Sequence, residues 1–120
     1  MTWVGVFLGG GLGSLLRYGL AMAFNSPDRL LPFGTVFVNI LGCFVLGYLS
    51  SNEWFASRLT DTLRLAITTG LLGGFTTFST FGLESVRLYQ SGQSLYGTIY
   101  VLVSLLGGLA AALMGMKLAI

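Results

Sequence analysis

Gly70-Leu71-Leu72-Gly73-Gly74-Phe75-Thr76-Thr77-Phe78-Ser79-Thr80-Phe81 lies inside a long apolar segment, yet it holds three glycines and then four hydroxyl side chains threaded among phenylalanines. A helix whose only task is to face lipid has no use for that mixture. Glycine weakens a helix interior by about 1 kcal/mol relative to alanine, and a gap in a helix leaves backbone groups without partners. At bilayer depth such a gap survives only where it is buried in protein or lines a polar cavity. The stretch therefore predicts a helix broken in mid-membrane, with the function at the break.

The rest of the chain makes the membrane its setting. Of 120 residues, 54% are apolar and 8% charged, and the mean hydropathy is +0.84. Soluble domains carry about a quarter of their residues as charges, so the composition predicts an integral membrane protein with the lipid bilayer as its solvent. A net charge of +2 without a basic run gives no footing for nucleic acid. There is no His and a single Cys, Cys43, in an apolar run. The absence of His removes the commonest general base and metal ligand. With no paired carboxylates either, the chain does not read as an enzyme.

A spanning helix needs about 20 largely apolar residues. Four segments meet this: roughly 2–24, 33–51, 63–89 and 95–119. The expected fold is thus all-α, one domain of four transmembrane helices over 1–120, the third of them broken. Asn25-Ser26-Pro27-Asp28-Arg29, the polar run 52–62 and Gln90-Ser91-Gly92-Gln93-Ser94 are the links. The first segment has no basic start and its apolar run continues past Leu15, so it reads as a retained helix rather than a cleaved leader.

Gly5, Gly9 and Gly13 recur every four residues in the first segment, and Gly97, Ser104, Gly108, Ala111 and Gly115 share a face of the fourth. Small residues at such spacing let helix backbones approach closely. Arg17 lies inside the first segment; it either snorkels to the interface or draws anions into a vestibule. Thr35 and Asn39, four apart, share a face of the second segment. The Asn39 amide suits a neighbouring helix or a dehydrated anion, and the polar third segment favours the latter. In the third segment Thr76, Thr80, Glu84 and Arg87 form one expected stripe, with Phe78, Phe81 and Ser85 beside it. Phenyl rings have positive edges, so Phe78 and Phe81 with the hydroxyls of Thr77, Ser79 and Thr80 can surround an anion without a fixed cation. Carbonyls freed between Gly73 and Thr76 are candidate ligands for a monovalent cation. Tyr96, Tyr100 and Lys117 suit interfacial positions, and Ser104 is the polar residue in the middle of the fourth segment.

With the N-terminus inside, Arg58, Arg64 and Lys117 fall on that side and Arg17, Arg29 and Arg87 toward the other. Orientation is normally set by a Lys/Arg excess, and three against three sets none. A chain without bias can insert both ways, and two opposed copies can pair about an axis in the membrane plane.

Three motifs carry a family likeness: Gly9 to Tyr18, Phe33 to Gly42, and Gly70 to Phe81. Together they resemble the small bacterial fluoride channels of the CrcB or Fluc family, over essentially the whole chain. The resemblance implies a dual-topology, antiparallel homodimer in the bacterial plasma (inner) membrane that exports cytoplasmic fluoride passively and confers resistance to it. It implies that Phe78 and Phe81 line the pores, that Asn39 contacts fluoride, and that Thr35, Thr77, Ser79 and Thr80 form or support the polar lining. It gives Arg17 an electropositive vestibule and places a Na+ at the dimer centre on the carbonyls of Gly73 and Thr76. Ser104 stands where some relatives carry a larger polar side chain; Gly108 and Ala112 stand where some have serines. The alternative is a four-helix, dual-topology, proton-coupled multidrug exporter, which requires a membrane-embedded carboxylate.

Overall fold

The computed structural model describes residues 1–26 and 30–120. Pro27, Asp28 and Arg29, expected in the first turn and, for Arg29, among the balancing charges, lie outside the described residues. The elements are α1 (Thr2–Phe24), α2 (Phe33–Ser51), α3 (Glu53–Arg58), α4 (Asp61–Leu65), a π-helical segment (Ala66–Leu72), α5 (Gly73–Phe75), α6 (Phe78–Gln90) and α7 (Ser94–Leu118). Among the described residues there is no strand.

Among the described residues three helices, α1, α2 and α7, are long and apolar enough to cross a membrane. The third long segment is a composite. Its helical course runs through α4, the π segment and α5, stops at Thr76 and Thr77, and resumes as α6. Each half is shorter than the about 20 residues a span requires.

The sequence accounts for the ends of these elements. The Asn25 side chain accepts a hydrogen bond from the Gly34 N–H at 2.7 Å, tying the end of α1 to the start of α2. Asn52 caps α3 by accepting from the Phe55 N–H, and Thr60 caps α4 by accepting from the Leu63 N–H. After α6, Gly92 takes φ +80°. Its N–H reaches the Tyr89 carbonyl while the Gln93 N–H reaches that of Leu88. This paired bonding is the glycine-terminated helix end, and a residue with a Cβ fits φ +80° poorly.

Packing joins α1 to the π segment and α5, and α2 to α7. A Cβ on Gly9 or Gly13 would overlap the carbonyl oxygens of Ala66 and Leu71, and one on Gly74 that of Gly10. A Cβ on Gly47 or Gly115 would likewise overlap the Ala112 or Phe44 carbonyl oxygen. At Gly9, Gly13 and Gly115 the small-residue faces are therefore contacts against backbone, whereas Gly97 meets the Tyr89 ring and Gly108 the Cys43 sulfur. The glycines of the opening stretch also belong to this packing. Gly70, Gly73 and Gly74 are helical, and the break lies after them, not at them as the sequence suggested.

The outer surface is apolar. Trp3, Phe7, Leu15, Leu106 and Leu109 are all exposed. Inside, Phe81, Leu88 and Tyr100 form a cluster against Leu31, Val36 and Val101. Tyr100 is only 2% exposed, so its ring packs inside the bundle rather than on the outer surface. Its hydroxyl has found a half-buried partner on α6, and that satisfies the polar tip without water.

Candidate functional site

The site starts with two residues that leave the helix. Thr76 has ψ 160° and Thr77 has φ −151° and ψ 121°, both extended. Asn39, on α2, closes the gap this makes. The Thr77 N–H donates to Asn39 Oδ1 at 2.7 Å, and Asn39 Nδ2 donates to the Thr77 carbonyl at 2.9 Å. A side-chain amide has the donor and acceptor to replace a lost turn of helix. Thr77 Oγ1 in turn accepts from the Thr80 N–H at 3.1 Å and caps α6.

These bonds redirect two donors. In an unbroken helix the N–H of Thr77 would meet the Gly73 carbonyl and that of Thr80 the Thr76 carbonyl. Here Thr77 donates to Asn39 and Thr80 to the Thr77 hydroxyl. Both carbonyls, the two expected to bind a cation, thus lose their helical partners. Among the described residues no three His, Cys, Asp or Glu side chains come together.

Beside the break lies a cavity of about 300 Å3, whose walls include Asn39, Thr76, Thr77, Phe78, Phe81 and Ser104. Helix α2 supplies the amide, α6 the rings and α7 the serine. The rings of Phe78 and Phe81 stand 5.8 Å apart. Phe81 is buried, whereas Phe78 is 79% exposed in the single chain. Ser104 Oγ is buried and, among the described residues, has no hydrogen-bond partner. A buried hydroxyl without a partner costs free energy comparable to a lost hydrogen bond, and this one lines a cavity roomy enough for a guest. The arrangement can take a small anion out of water and offer it O–H and amide N–H donors and phenyl edges. Gly73 also lines the cavity.

The remaining candidates stand elsewhere. Arg17 donates from Nε to the Gly74 carbonyl at 3.1 Å. It sets its positive charge at the end of α5, where the helix dipole favours a cation. Ser79 lies 3.4 Å from the Thr77 hydroxyl, and neither it nor Thr80 is in the cavity wall. The expected stripe from Thr76 to Arg87 is interrupted, because Thr76 precedes the break and turns its hydroxyl back to the Leu72 carbonyl at 3.0 Å.

Thr35 leads to a group the sequence reading missed. Thr35 Oγ1 donates to Glu84 Oε1 at 2.8 Å, and the Tyr100 hydroxyl donates to Glu84 Oε2 at 3.1 Å. Each carboxylate oxygen is held by a different helix. The signal was present: a carboxylate within an apolar segment demands partners, and Thr35 already shared a face with Asn39.

Residues 4–116 match the family model described as "CrcB-like protein, Camphor Resistance (CrcB)". A "Fluoride-specific ion channel FluC" of Serratia proteamaculans (strain 568) is 41% identical over 115 residues, covering 96% of this chain and 91% of the relative. A protein of the same name from Klebsiella pneumoniae (strain 342) is 46% identical over 108 residues, covering 88% and 83%. "Fluoride-specific ion channel FluC 1" of Desulfitobacterium hafniense (strain Y51) is 43% identical over 105 residues, covering 88% and 91%.

Proposed function

The chain belongs to the CrcB-like family, and from that premise we propose that it is a fluoride channel in which the ion passes the cavity beside Asn39, Phe78 and Ser104. The observation that carries the site is Ser104, whose buried hydroxyl has no partner among the described residues and which lines the cavity together with Asn39 and the two rings. Fluoride is small and strongly hydrated, and it gives up water only where donors replace it. Neutral donors and ring edges can do this without holding the ion as tightly as a fixed cation would. Flow is passive in this reading, coupled to no other ion, and follows the gradient out of the cytoplasm, which gives resistance to fluoride. The proton-coupled exporter falls with the family assignment.

The working form is two antiparallel copies in the bacterial plasma membrane, each chain crossing four times with the composite segment as its third pass. Three features support pairing: the balanced Arg and Lys residues, the exposure of Phe78 in the single chain, and a cavity walled by one copy on only part of its circumference. The carbonyls of Gly73 and Thr76, released from helical bonding, would hold Na+ where two copies meet. Na+ would tie the two breaks together and fix the walls of the path; the residues themselves bind fluoride.

Proteoliposomes holding the purified protein should release fluoride at least about 100-fold faster than chloride, a difference of roughly 2.7 kcal/mol in barrier. They should do so without a proton gradient. Ion-selective electrodes read both rates, and equal rates for the two halides would end the fluoride reading. A reporter fused after Ile120 should appear on both faces of the membrane; a single location would end the antiparallel pairing.

A further inference from the structure

Helix α6 carries two cavities along its length. Phe78 and Phe81 line the first; Glu84, Arg87, Leu88 and Ser91 line a second, of about 330 Å3. The second opens at the end of the bundle where α1 stops and α2 starts, with Asn25, Leu31 and Pro32 in its other wall. The packed cluster of Phe81, Leu88 and Tyr100 lies between them, with Phe81 lining the first cavity and Leu88 the second.

An anion leaving the first cavity along α6 meets the carboxylate of Glu84, whose charge opposes it. Both Glu84 oxygens are engaged by the hydroxyls of Thr35 and Tyr100. Arg87 is exposed in the last turn of α6, one turn beyond Glu84. Among the described residues the sole ion pair is Arg64 with Asp61, so Arg87 makes no direct contact with Glu84, although its charge acts on that carboxylate from one turn away. Its guanidinium is available to the cavity it lines.

Resting on the fluoride reading, we propose that this second cavity is a mouth of the ion path and that Arg87 holds the anion there, offsetting the field of Glu84. A charged mouth raises the local concentration of its ion and the rate of entry, by tenfold or more, and salt screens the effect. The role differs from that of the first cavity. Donors there replace water around a single ion, whereas Arg87 sets how often an ion arrives.

The test is fluoride efflux from vesicles of neutral phosphatidylcholine, which excludes lipid charge as a source. It is run at about 10 mM and about 1 M salt, where the screening length is about 30 Å and about 3 Å. At low salt Arg87→Gln should slow efflux by about tenfold and Arg87→Glu by more, while Arg87→Lys should restore at least half of the wild-type rate. At high salt the Gln and wild-type rates should converge to within about twofold. Equal rates for Arg87→Gln and wild type at low salt overturn the proposal, as does a loss of the same size at both salts, which would mark a structural role. Wild-type protein that carries fluoride while Arg87→Gln matches it defeats this inference alone. Wild-type protein that carries none defeats the fluoride reading and this inference with it.

Discussion

Asn39→Asp should lower fluoride efflux by about 100-fold while leaving the protein folded. The substitution preserves shape and keeps an acceptor for the Thr77 N–H, now at 2.7 Å from Asn39 Oδ1. It removes the donor that meets the Thr77 carbonyl and puts a negative charge in the wall of the first cavity. At an effective dielectric constant of about 20, a unit charge about 5 Å from a passing anion raises its energy by roughly 3 kcal/mol. That is about a hundredfold in rate. Asn39→Ala acts differently. It strands both the N–H and the carbonyl of Thr77, at about 1–3 kcal/mol for each buried group left without a partner. The Ala variant should therefore unfold at lower temperature in detergent, whereas the Asp variant should lose flux more than stability. Equal flux from wild type and Asn39→Asp would remove Asn39 from the ion path and leave it as a clasp on the break.

That double duty explains what could and could not be read beforehand. The mixture of glycine, hydroxyl and phenyl groups from Gly70 to Phe81 marks an interruption, because no lipid-facing helix needs it. Its location is another matter. Gly73 and Gly74 look locally like the weak point, yet they are helical, and Gly74 has no Cβ because the backbone of Gly10 lies against it. The break comes at Thr76 and Thr77, where a side chain 38 positions earlier takes over the backbone bonds. Nothing in a local window encodes that pairing. Tyr100 shows the same gap. By type and position it suits an interface, but the Glu84 carboxylate 16 residues away draws it inside. Ser104 was easier to single out, since a lone polar residue amid an apolar helix needs something to face.

Gly13→Ala should have the largest effect on folding of any single methyl group added to α1. Gly13 is the buried residue of that helix. A Cβ there would overlap the Leu71 carbonyl oxygen, with the Phe75 amide nitrogen at 2.9 Å and the Leu71 carbonyl carbon at 3.0 Å. All three are backbone atoms, so no rotamer change relieves the clash; α1 itself must move. Overpacking usually costs about 1–3 kcal/mol, and a clash with rigid backbone belongs at or above the upper end. The movement also reaches function. Arg17 lies one turn beyond Gly13, and its bond to the Gly74 carbonyl depends on the same close approach. Gly11 and Gly19 provide the contrast, since a Cβ at either meets nothing within 4 Å in the single chain. Alanine there should add up to about 1 kcal/mol of helix propensity. Thermal unfolding in detergent and fluoride efflux should thus separate the variants, with Gly13→Ala losing folded protein and flux and Gly11→Ala and Gly19→Ala keeping both. Wild-type stability in Gly13→Ala would mean that α1 does not seat against the π segment and α5 through this glycine. Loss of stability in Gly11→Ala or Gly19→Ala would instead show that its bare face is covered in the membrane, as the proposed second copy would cover it.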